Sequence, residues 1–228
     1  MLLNIPKVLN ARQLAEVRGL LDDAGEAWVD GRVTAGYQGA VVKVNQQIDE
    51  ASEVAARAQA IVLSALERHP MFISAALPNS VYPPMFNRYG EGMTFGAHVD
   101  GGVRIHPHTG GKLRTDISAT LHLTEPGDYD GGELQVMDTY GMQSVKLAAG
   151  DMVLYPSTSL HQVTPVTRGV RVGCFFWVQS LVRDDLQRSL LYDMDTAIQR
   201  LNATGADEGA RTTLVGVYHN LLRQWAET

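Results

Sequence analysis

The apolar residues that follow Asn10 recur at the spacing of one face of an α-helix. This face consists of Leu14, Val17 and Leu21. Gln13 stands three residues after Asn10, where a capping box requires a glutamine or glutamate. The same apolar spacing returns over residues 52–68, and Pro70 is expected to end that second helix. We expect both helices to cover one face of a β-sheet, with a glycine-containing extended segment over residues 27–44 beside it.

From residue 71 the pattern changes to short strands separated by turn residues, which is typical of an all-β sandwich or barrel. The strands are expected near residues 84–89, 95–100, 117–124, 132–136, 144–147, 151–155, 160–165 and 170–179. Within residues 117–124 apolar and polar side chains alternate, so that one face of this strand is polar. The polar members are Ser118, Thr120 and His122.

Two further helices are expected after residue 182. The apolar stripe of the first consists of Leu186, Leu190, Met194, Ala197, Ile198 and Leu201, and that of the second consists of Leu214, Val217, Leu221 and Trp225. This pattern is typical of a helical hairpin. The hairpin could pack on its own barrel or form the surface of a homo-oligomer, and the sequence does not separate the two.

The chain of 228 residues is long enough for one domain, and its 45% hydrophobic and 19% charged residues are ordinary for a globular protein. A formal net charge of −6 argues against broad binding to nucleic acids or anionic membranes. The single cysteine, Cys174, excludes an internal disulfide and has apolar neighbours that indicate burial. The first residues lack a signal-peptide core, and no run of about 18 apolar residues occurs. We therefore expect a cytoplasmic protein.

A candidate metal site begins with His98 and Asp100. Residues two apart on an extended strand point to the same side, so an imidazole and a carboxylate face one space. His161 could supply a third ligand from a distant strand. Two histidines and one carboxylate on one face of a metal leave coordination positions open, as in non-haem Fe(II) oxygenases.

Arg171 is the candidate anchor for a co-substrate. It follows His161 by ten residues, after the turn signal Arg168-Gly169, and is expected on the next antiparallel strand, near His161. On that strand it shares a face with Gly173 and Phe175. A charged residue in such company needs an anion to pair with, and a guanidinium suits a carboxylate because it offers a forked, permanent charge.

The remaining histidines have no partners at ligand spacing. They are His69, His106, His108 and His219. His106 and His108 stand in a loop rich in Gly, Pro and Thr, so we expect them to be exposed, with the substrate entrance as the alternative place.

The order of these candidate residues resembles that of the Fe(II)/2-oxoglutarate-dependent dioxygenases, and specifically their prolyl-hydroxylase branch. Three stretches are similar, more narrowly, to the bacterial PKHD-type hydroxylases. They are residues 114–134, which end in Leu-His-Leu-Thr-Glu-Pro-Gly-Asp-Tyr-Asp-Gly-Gly-Glu-Leu, the segment Asp138-Thr-Tyr-Gly141, and residues 154–165, Leu-Tyr-Pro-Ser-Thr-Ser-Leu-His-Gln-Val-Thr-Pro. The resemblance covers most of the chain and is strongest between residues 80 and 185.

The resemblance implies a mainly β fold with flanking helices. Residues 1–78 would form N-terminal support, residues 79–182 a jelly-roll (double-stranded β-helix) core and residues 183–228 a C-terminal helical hairpin. It also implies Fe(II) on His98, Asp100 and His161, with 2-oxoglutarate anchored at Arg171. With O2, 2-oxoglutarate would be decarboxylated to succinate and CO2 while a substrate C–H bond is hydroxylated. Ascorbate, which many relatives use to re-reduce iron, is an expected auxiliary.

Two further residues gain candidate roles from the resemblance. The position of His122 is often a tyrosine that helps to bind the far carboxylate of 2-oxoglutarate, so the histidine here departs from the pattern. Tyr89 matches a pocket tyrosine of the same relatives. For each, a co-substrate contact stands beside the plainer alternative of a residue that only fills the wall or the core.

Two other functions remain open for the same residues. One is a non-catalytic barrel that senses a metal or 2-oxoglutarate, and the other is a cupin-like enzyme that uses a different divalent metal. Cupins usually add a further histidine, and the sequence offers no good candidate. The substrate cannot be deduced, since a peptide and a small molecule such as an iron-chelating metabolite are equally admissible.

Overall fold

The computed structural model describes residues 2–34, 37–205 and 207–227, with the backbone alone described for Tyr37 and Gln38. The helices are Ala11–Asp22 (α1), Tyr37–Val42 (α2), Glu53–Leu66 (α3), Pro70–Ala76 (α4), Asp185–Thr204 (α5) and Glu208–Trp225 (α6). The strands are Leu3–Ile5 (β1), Trp28–Asp30 (β2), Lys43–Val44 (β3), Gln46–Ile48 (β4), Pro78–Val81 (β5), Met85–Tyr89 (β6), Thr94–His98 (β7), Val103–Ile105 (β8), Lys112–Arg114 (β9), Ile117–His122 (β10), Asp130–Gly131 (β11), Leu134–Asp138 (β12), Gly141–Val145 (β13), Met152–Pro156 (β14), His161–Val163 (β15), Val166–Arg168 (β16) and Arg171–Ser180 (β17).

Two antiparallel sheets form the jelly-roll that the sequence predicts. The larger sheet has the order β1-β14-β10-β17-β6-β4-β2, with β5 beside β17, and the smaller one has the order β13-β12-β15-β7-β3. Side chains from both sheets meet in one shared core, to which Tyr89 and Tyr155 contribute from the larger sheet and Leu134 and Val163 from the smaller. The ribbons β8-β9 and β11-β16 extend from this body. Each of the eight expected strands is present.

The N-terminal helices cover the outer face of the larger sheet, as predicted. Val17 of α1 and Val62 of α3 belong to one buried cluster with Leu121 of β10 and Phe176 of β17. The alternation along β10 explains this placement, because its apolar side chains face the helices while Ser118 and Thr120 face the space between the sheets. The capping box at Asn10 is confirmed.

One prediction for the N-terminal third is incomplete and another is wrong. The helix α3 ends at Leu66, before Pro70, as expected, but Pro70 also begins α4, at a position where its missing N–H costs no hydrogen bond, and His69 caps that helix. The segment 27–44 is not extended throughout, since it contains α2 between β2 and β3. Its residues 35 and 36 lie outside the described residues. Strand β3 nevertheless pairs with β7 and adds Lys43 to the smaller sheet.

The C-terminal hairpin of α5 and α6 packs on its own chain. Leu191 of α5 is fully buried against Leu77 and Val182, and Trp225 of α6 packs on the same cluster. The predicted stripe is wrong at its start, because Leu186 and Leu190 are exposed. No helix in the described part of the chain is long and apolar enough to cross a membrane.

Candidate metal centre and co-substrate pocket

Three candidate ligands come together where two neighbouring inner strands of the smaller sheet, β7 and β15, meet at their ends. His98 ends β7, and the antiparallel register places it directly opposite His161 of β15, with ring centroids 4.2 Å apart. Asp100 follows two residues after His98, with its carboxylate oxygens 3.9 Å from Nε2 of His98 and 3.7 Å from Nε2 of His161. One ligand atom from each residue lies within 4.8 Å of the other two. The His-x-Asp spacing and the distant histidine thus meet in one place, as predicted.

Local hydrogen bonds orient each ligand. Nδ1 of His98 donates to the carbonyl oxygen of Gly96 (2.8 Å), and Nδ1 of His161 donates to that of Ser159 (3.0 Å). In each histidine the proton is therefore on Nδ1, and the lone pair of Nε2, which faces Asp100, is available to a metal. Bonds of this kind fix the tautomer and the ring orientation of metal-binding histidines.

Asp100 is held by a serine relay. Oγ of Ser118 donates to Oδ2 of Asp100 (2.6 Å), and Oγ of Ser157 lies 2.8 Å from Oγ of Ser118. Ser118 belongs to β10 in the larger sheet, so the relay ties the carboxylate to the opposite wall of the barrel. The sequence places Ser118 on the polar face of its strand, whereas nothing in the sequence points to Ser157.

The electrostatics of the three residues suit a divalent cation. Burial, together with the neighbouring His161, lowers the pKa of His98 to about 4, which keeps the imidazole neutral and its lone pair available. Neutral imidazoles and a carboxylate on one face form the donor set typical of non-haem Fe(II). The residues present therefore fit an iron ion.

A cavity of about 590 Å³ between the sheets holds the metal site at its wall. Arg171 lines this cavity and is 2% exposed. The prediction that Arg171 lies on the strand next to His161 is wrong. Strand β16 intervenes, and β17 belongs to the opposite sheet, where Arg171 pairs with Tyr89 of β6. The guanidinium therefore reaches the cavity from the wall across from His161.

The surroundings of Arg171 offer polar atoms without partners. Among the described residues Arg171 forms no ion pair, and its Nε, Nε2 of His122 and the hydroxyl of Tyr129 are buried without a hydrogen-bond partner. Its guanidinium carbon lies 5.2 Å from the ring centroid of Tyr89. Gly173 lies beside this cluster, where a Cβ would crowd Oδ1 of Asn87 at 3.2 Å and would be in ordinary contact with Nη1 of Arg171 at 3.6 Å. Such a cluster is complete only when an anion binds.

Tyr89 and His122, the two further candidates for contact with the co-substrate, lie beside Arg171. Tyr89 is 1% exposed and lines the cavity. His122 is 2% exposed, and burial followed by the charge of Arg171 lowers its pKa to about 3, so its imidazole is neutral. A co-substrate contact remains a prediction for both residues.

Arg114, a further cation, and the remaining histidines do not line the cavity. Arg114 pairs with Asp116 and Glu227, each at 2.7 Å, so its charge is already matched outside the cavity. His108 is exposed as predicted, and His106 is half-buried with its ring 6.3 Å from that of Tyr82. Nε2 of His69 lies 3.2 Å from the carbonyl oxygen of Pro6, and His219 is exposed on α6.

Family models match two parts of the chain. The 2OG-Fe(II) oxygenase superfamily matches residues 84–179, and the PKHD-type hydroxylase C-terminal domain matches residues 185–227. A PKHD-type hydroxylase of Cupriavidus metallidurans is 76% identical over 228 residues, all of both chains, and one of Caulobacter vibrioides is 60% identical over the same span. The chain belongs to the PKHD-type hydroxylases. It is thus a 2-oxoglutarate-dependent dioxygenase of the Fe(II) oxygenase superfamily.

Solved structures share the fold of this PKHD-type hydroxylase. A prolyl-4-hydroxylase of Pseudomonas putida is 21% identical and superimposes with a TM-score of 0.52, covering 78% of this chain and 92% of that one. A prolyl hydroxylase of Trichoplax adhaerens, solved with a hypoxia inducible factor peptide fragment, is 16% identical with a TM-score of 0.56, covering 83% and 86%. At these identities the likeness concerns the jelly-roll alone.

Two cationic side chains that were not among the sequence candidates line the cavity of the PKHD-type hydroxylase. Lys43 and Arg104 both line it. Neither belongs to a recognisable motif. Lys43 lies on β3, within the segment expected to be extended, and Arg104 lies on β8, a strand that the sequence did not predict.

Proposed function

We propose that this protein hydroxylates a C–H bond of its substrate with Fe(II) bound by His98, Asp100 and His161 and with 2-oxoglutarate anchored by Arg171. The observation that carries the proposal is one cavity that contains both a two-histidine, one-carboxylate cluster and a buried arginine with no counter-ion among the described residues. Bound iron would supply redox chemistry, through which 2-oxoglutarate and O2 yield succinate, CO2 and the hydroxylated product.

The three ligand residues would bind the metal, and their hydrogen bonds fix the atoms that they present to it. The imidazoles of His98 and His161 present Nε2 because their Nδ1 atoms are engaged with the backbone. Asp100 presents Oδ1 because Ser118 holds Oδ2. Three protein ligands on one face leave the other positions of an octahedral ion for small molecules.

Arg171 positions the far carboxylate of 2-oxoglutarate. Its guanidinium is permanently charged and can form two parallel hydrogen bonds with a carboxylate. Tyr89 and His122 are proposed to complete this carboxylate site, since both lie beside Arg171 and Nε2 of His122 has no hydrogen-bond partner in the described part of the chain. The apolar rings of Phe95 and Phe175 line the same cavity and exclude water from it.

Several finer proposals accompany this assignment. Residues 1–78 would act as support, 79–182 as the catalytic core and 183–228 as a hairpin, whose exposed Leu186 and Leu190 support a homo-oligomer. We also propose a cytoplasmic location, ascorbate as an auxiliary reductant, and no nucleic-acid or membrane partner. Light scattering of wild type and Leu190→Glu measures the molar mass in solution and so tests the homo-oligomer. The number of turnovers with and without ascorbate tests its role as a reductant.

An anaerobic titration tests the function. Addition of 2-oxoglutarate to the Fe(II)-loaded protein should produce a visible charge-transfer band, because bidentate chelation places the 2-oxo group on the metal. Admission of O2 should then bleach the band with formation of succinate. A band that persists in air without succinate would favour a sensor barrel, and the absence of any band would exclude co-substrate chelation.

A further inference from the structure

Lys43 is a buried cation that faces the cavity. Its side chain is 3% exposed, and its ammonium group lies 5.2 Å from the ring centroid of Phe95 and 5.7 Å from that of Phe175. Its hydrogen bonds go to uncharged acceptors, namely Oγ1 of Thr34 at 3.3 Å and Oε1 of Gln47. Among the described residues it has no ion pair, and none of the undescribed residues carries an acidic side chain.

Arg104 brings a second cation to the same part of the cavity. It extends from β8, and its guanidinium carbon lies 4.1 Å from the ring centroid of Trp177 and 4.9 Å from that of Tyr82. The two cations are close enough that Arg104 lowers the pKa of Lys43, after burial as the larger cause. Arg104 also forms no ion pair within the described ranges. Glu50, the acid beside Tyr82, lies 3.4 Å from the Tyr82 hydroxyl instead.

The inner face of β17 separates these cations from Arg171. Arg171, Phe175 and Trp177 of this strand line the cavity, with Arg171 at one end, Phe175 beside Lys43 and Trp177 beside Arg104. The strand rises about 3.3 Å per residue, so Arg171 and Trp177 are about 20 Å apart along it. Ser118, which holds Asp100, pairs with Trp177. The metal ligand Asp100 therefore lies toward the Lys43 and Arg104 end, and 2-oxoglutarate anchored at Arg171 would approach the metal from the opposite end.

The charges in the cavity are not balanced by the co-substrate. Among the described lining residues, three are cationic side chains and only Asp100 is acidic. Bound Fe(II) would raise the excess to four positive charges, of which a 2-oxoglutarate dianion would neutralise two. Buried charges are normally paired, so the remaining excess calls for another anion.

We propose that Lys43 and Arg104 bind an anionic oxygen group, of the carboxylate class, on the molecule that is hydroxylated. The proposal deepens the proposed function and rests on it, because it assumes that 2-oxoglutarate occupies the Arg171 end. The aromatic rings of Phe95, Phe175 and Trp177 beside the two cations suit a flat apolar body attached to that group. Aromatic carboxylates therefore bind here better than neutral analogues of the same shape.

Calorimetric titration tests the proposal on the protein loaded with Mn(II) and saturated with 2-oxoglutarate, where no turnover occurs. The probes are 3-phenylpropionate and its neutral isostere 3-phenylpropionamide. Wild type should bind the carboxylate at least tenfold tighter than the amide. Lys43→Met and Arg104→Gln should each weaken carboxylate binding by about ten- to a hundredfold. Amide and 2-oxoglutarate binding should not change in either variant.

Lys112→Met is the matched control, because Lys112 is an exposed cation on β9, the strand paired with β8, and does not line the cavity. It should bind both probes as wild type does. Equal binding of the two probes by wild type, or no binding of the carboxylate, overturns the proposal. So does a variant that loses both probes equally, or one that loses 2-oxoglutarate instead. Failure of the proposed function would be separate, since 2-oxoglutarate would then not bind wild type at all.

Discussion

Replacement of Arg171 by methionine is the most informative single change. The arginine is 2% exposed and has no carboxylate partner in the described part of the chain, so the protein without co-substrate carries a buried, uncompensated cation. Methionine keeps much of the apolar stem and removes the charge. We therefore expect Arg171→Met to be at least as stable as wild type in the absence of 2-oxoglutarate, since removal of an unpaired buried charge relieves a desolvation penalty.

The effect on co-substrate binding should be opposite and large. Loss of one partner from a buried ion pair costs about 3–5 kcal/mol, which corresponds to about two to four decades in affinity. At a 2-oxoglutarate concentration of about 100 times its dissociation constant, wild type gains about 2.7 kcal/mol, or about 5–11 °C in melting temperature for a chain of this length. Arg171→Met at the same concentration should gain less than about 2 °C. Thermal unfolding with Mn(II), with and without 2-oxoglutarate, measures both quantities.

Two further variants sharpen this test. Arg171→Lys should recover only part of the shift, because an ammonium group cannot form the two-pronged contact. Arg168→Met is the matched control, since Arg168 is an exposed arginine on β16 that pairs at 2.7 Å with Asp130 on β11, the other strand of the same ribbon. Its shift should equal that of wild type. If Arg171→Met also keeps the wild-type shift, Arg171 is structural and the anchor lies elsewhere, with His122 the next candidate because Arg114 is already paired.

Four other substitutions test the remaining parts of the structure. Ser118→Ala should weaken metal affinity by about ten- to a hundredfold, because Asp100 loses its orienting donor; calorimetric metal titration measures this, and an unchanged affinity would show that the relay is dispensable. His106→Ala and His108→Ala should retain bound iron and 2-oxoglutarate turnover. Loss of iron in either variant, measured by elemental analysis, would show that the replaced histidine is a metal ligand. Leu191→Ala should lower the free energy of unfolding by about 2–5 kcal/mol in urea, because Leu191 is fully buried between the hairpin and the barrel; a negligible change would mean that the hairpin is not docked.

The metal site could be predicted because its signals are local. The spacing of His98 and Asp100 fixes their common side on any extended chain, and the alternation along β10 fixes which of its side chains face the cavity. The helical spacing of apolar residues also predicted the C-terminal hairpin, but it did not predict which face of α5 is buried. The buried face of α5 is centred on Leu191, because this helix packs against α4 and the residues that follow β17. The spacing of apolar residues within α5 does not contain that information.

The errors have non-local causes. A turn signal after Arg168 shows that the chain reverses but not which sheet the next strand joins, so Arg171 was placed beside His161 and not across from it. Pro70 was interpreted as an end although proline is also favoured at the first position of a helix. Lys43 and Ser157 carry no motif, and only the pairing of β3 with β7 and the contact of Ser157 with Ser118 bring them to the site.

The most direct test of the central claim is succinate formation by iron-loaded wild type and Asp100→Ala, supplied with 2-oxoglutarate and O2. The measurement is made alongside iron content and melting temperature. We predict that wild type forms succinate in step with 2-oxoglutarate consumption. Asp100→Ala should lose both iron and succinate formation while it keeps its fold, because the ligands lie on the cavity wall and the core is untouched. Succinate formation at the wild-type rate by Asp100→Ala, or none by wild type with bound iron, would contradict the account.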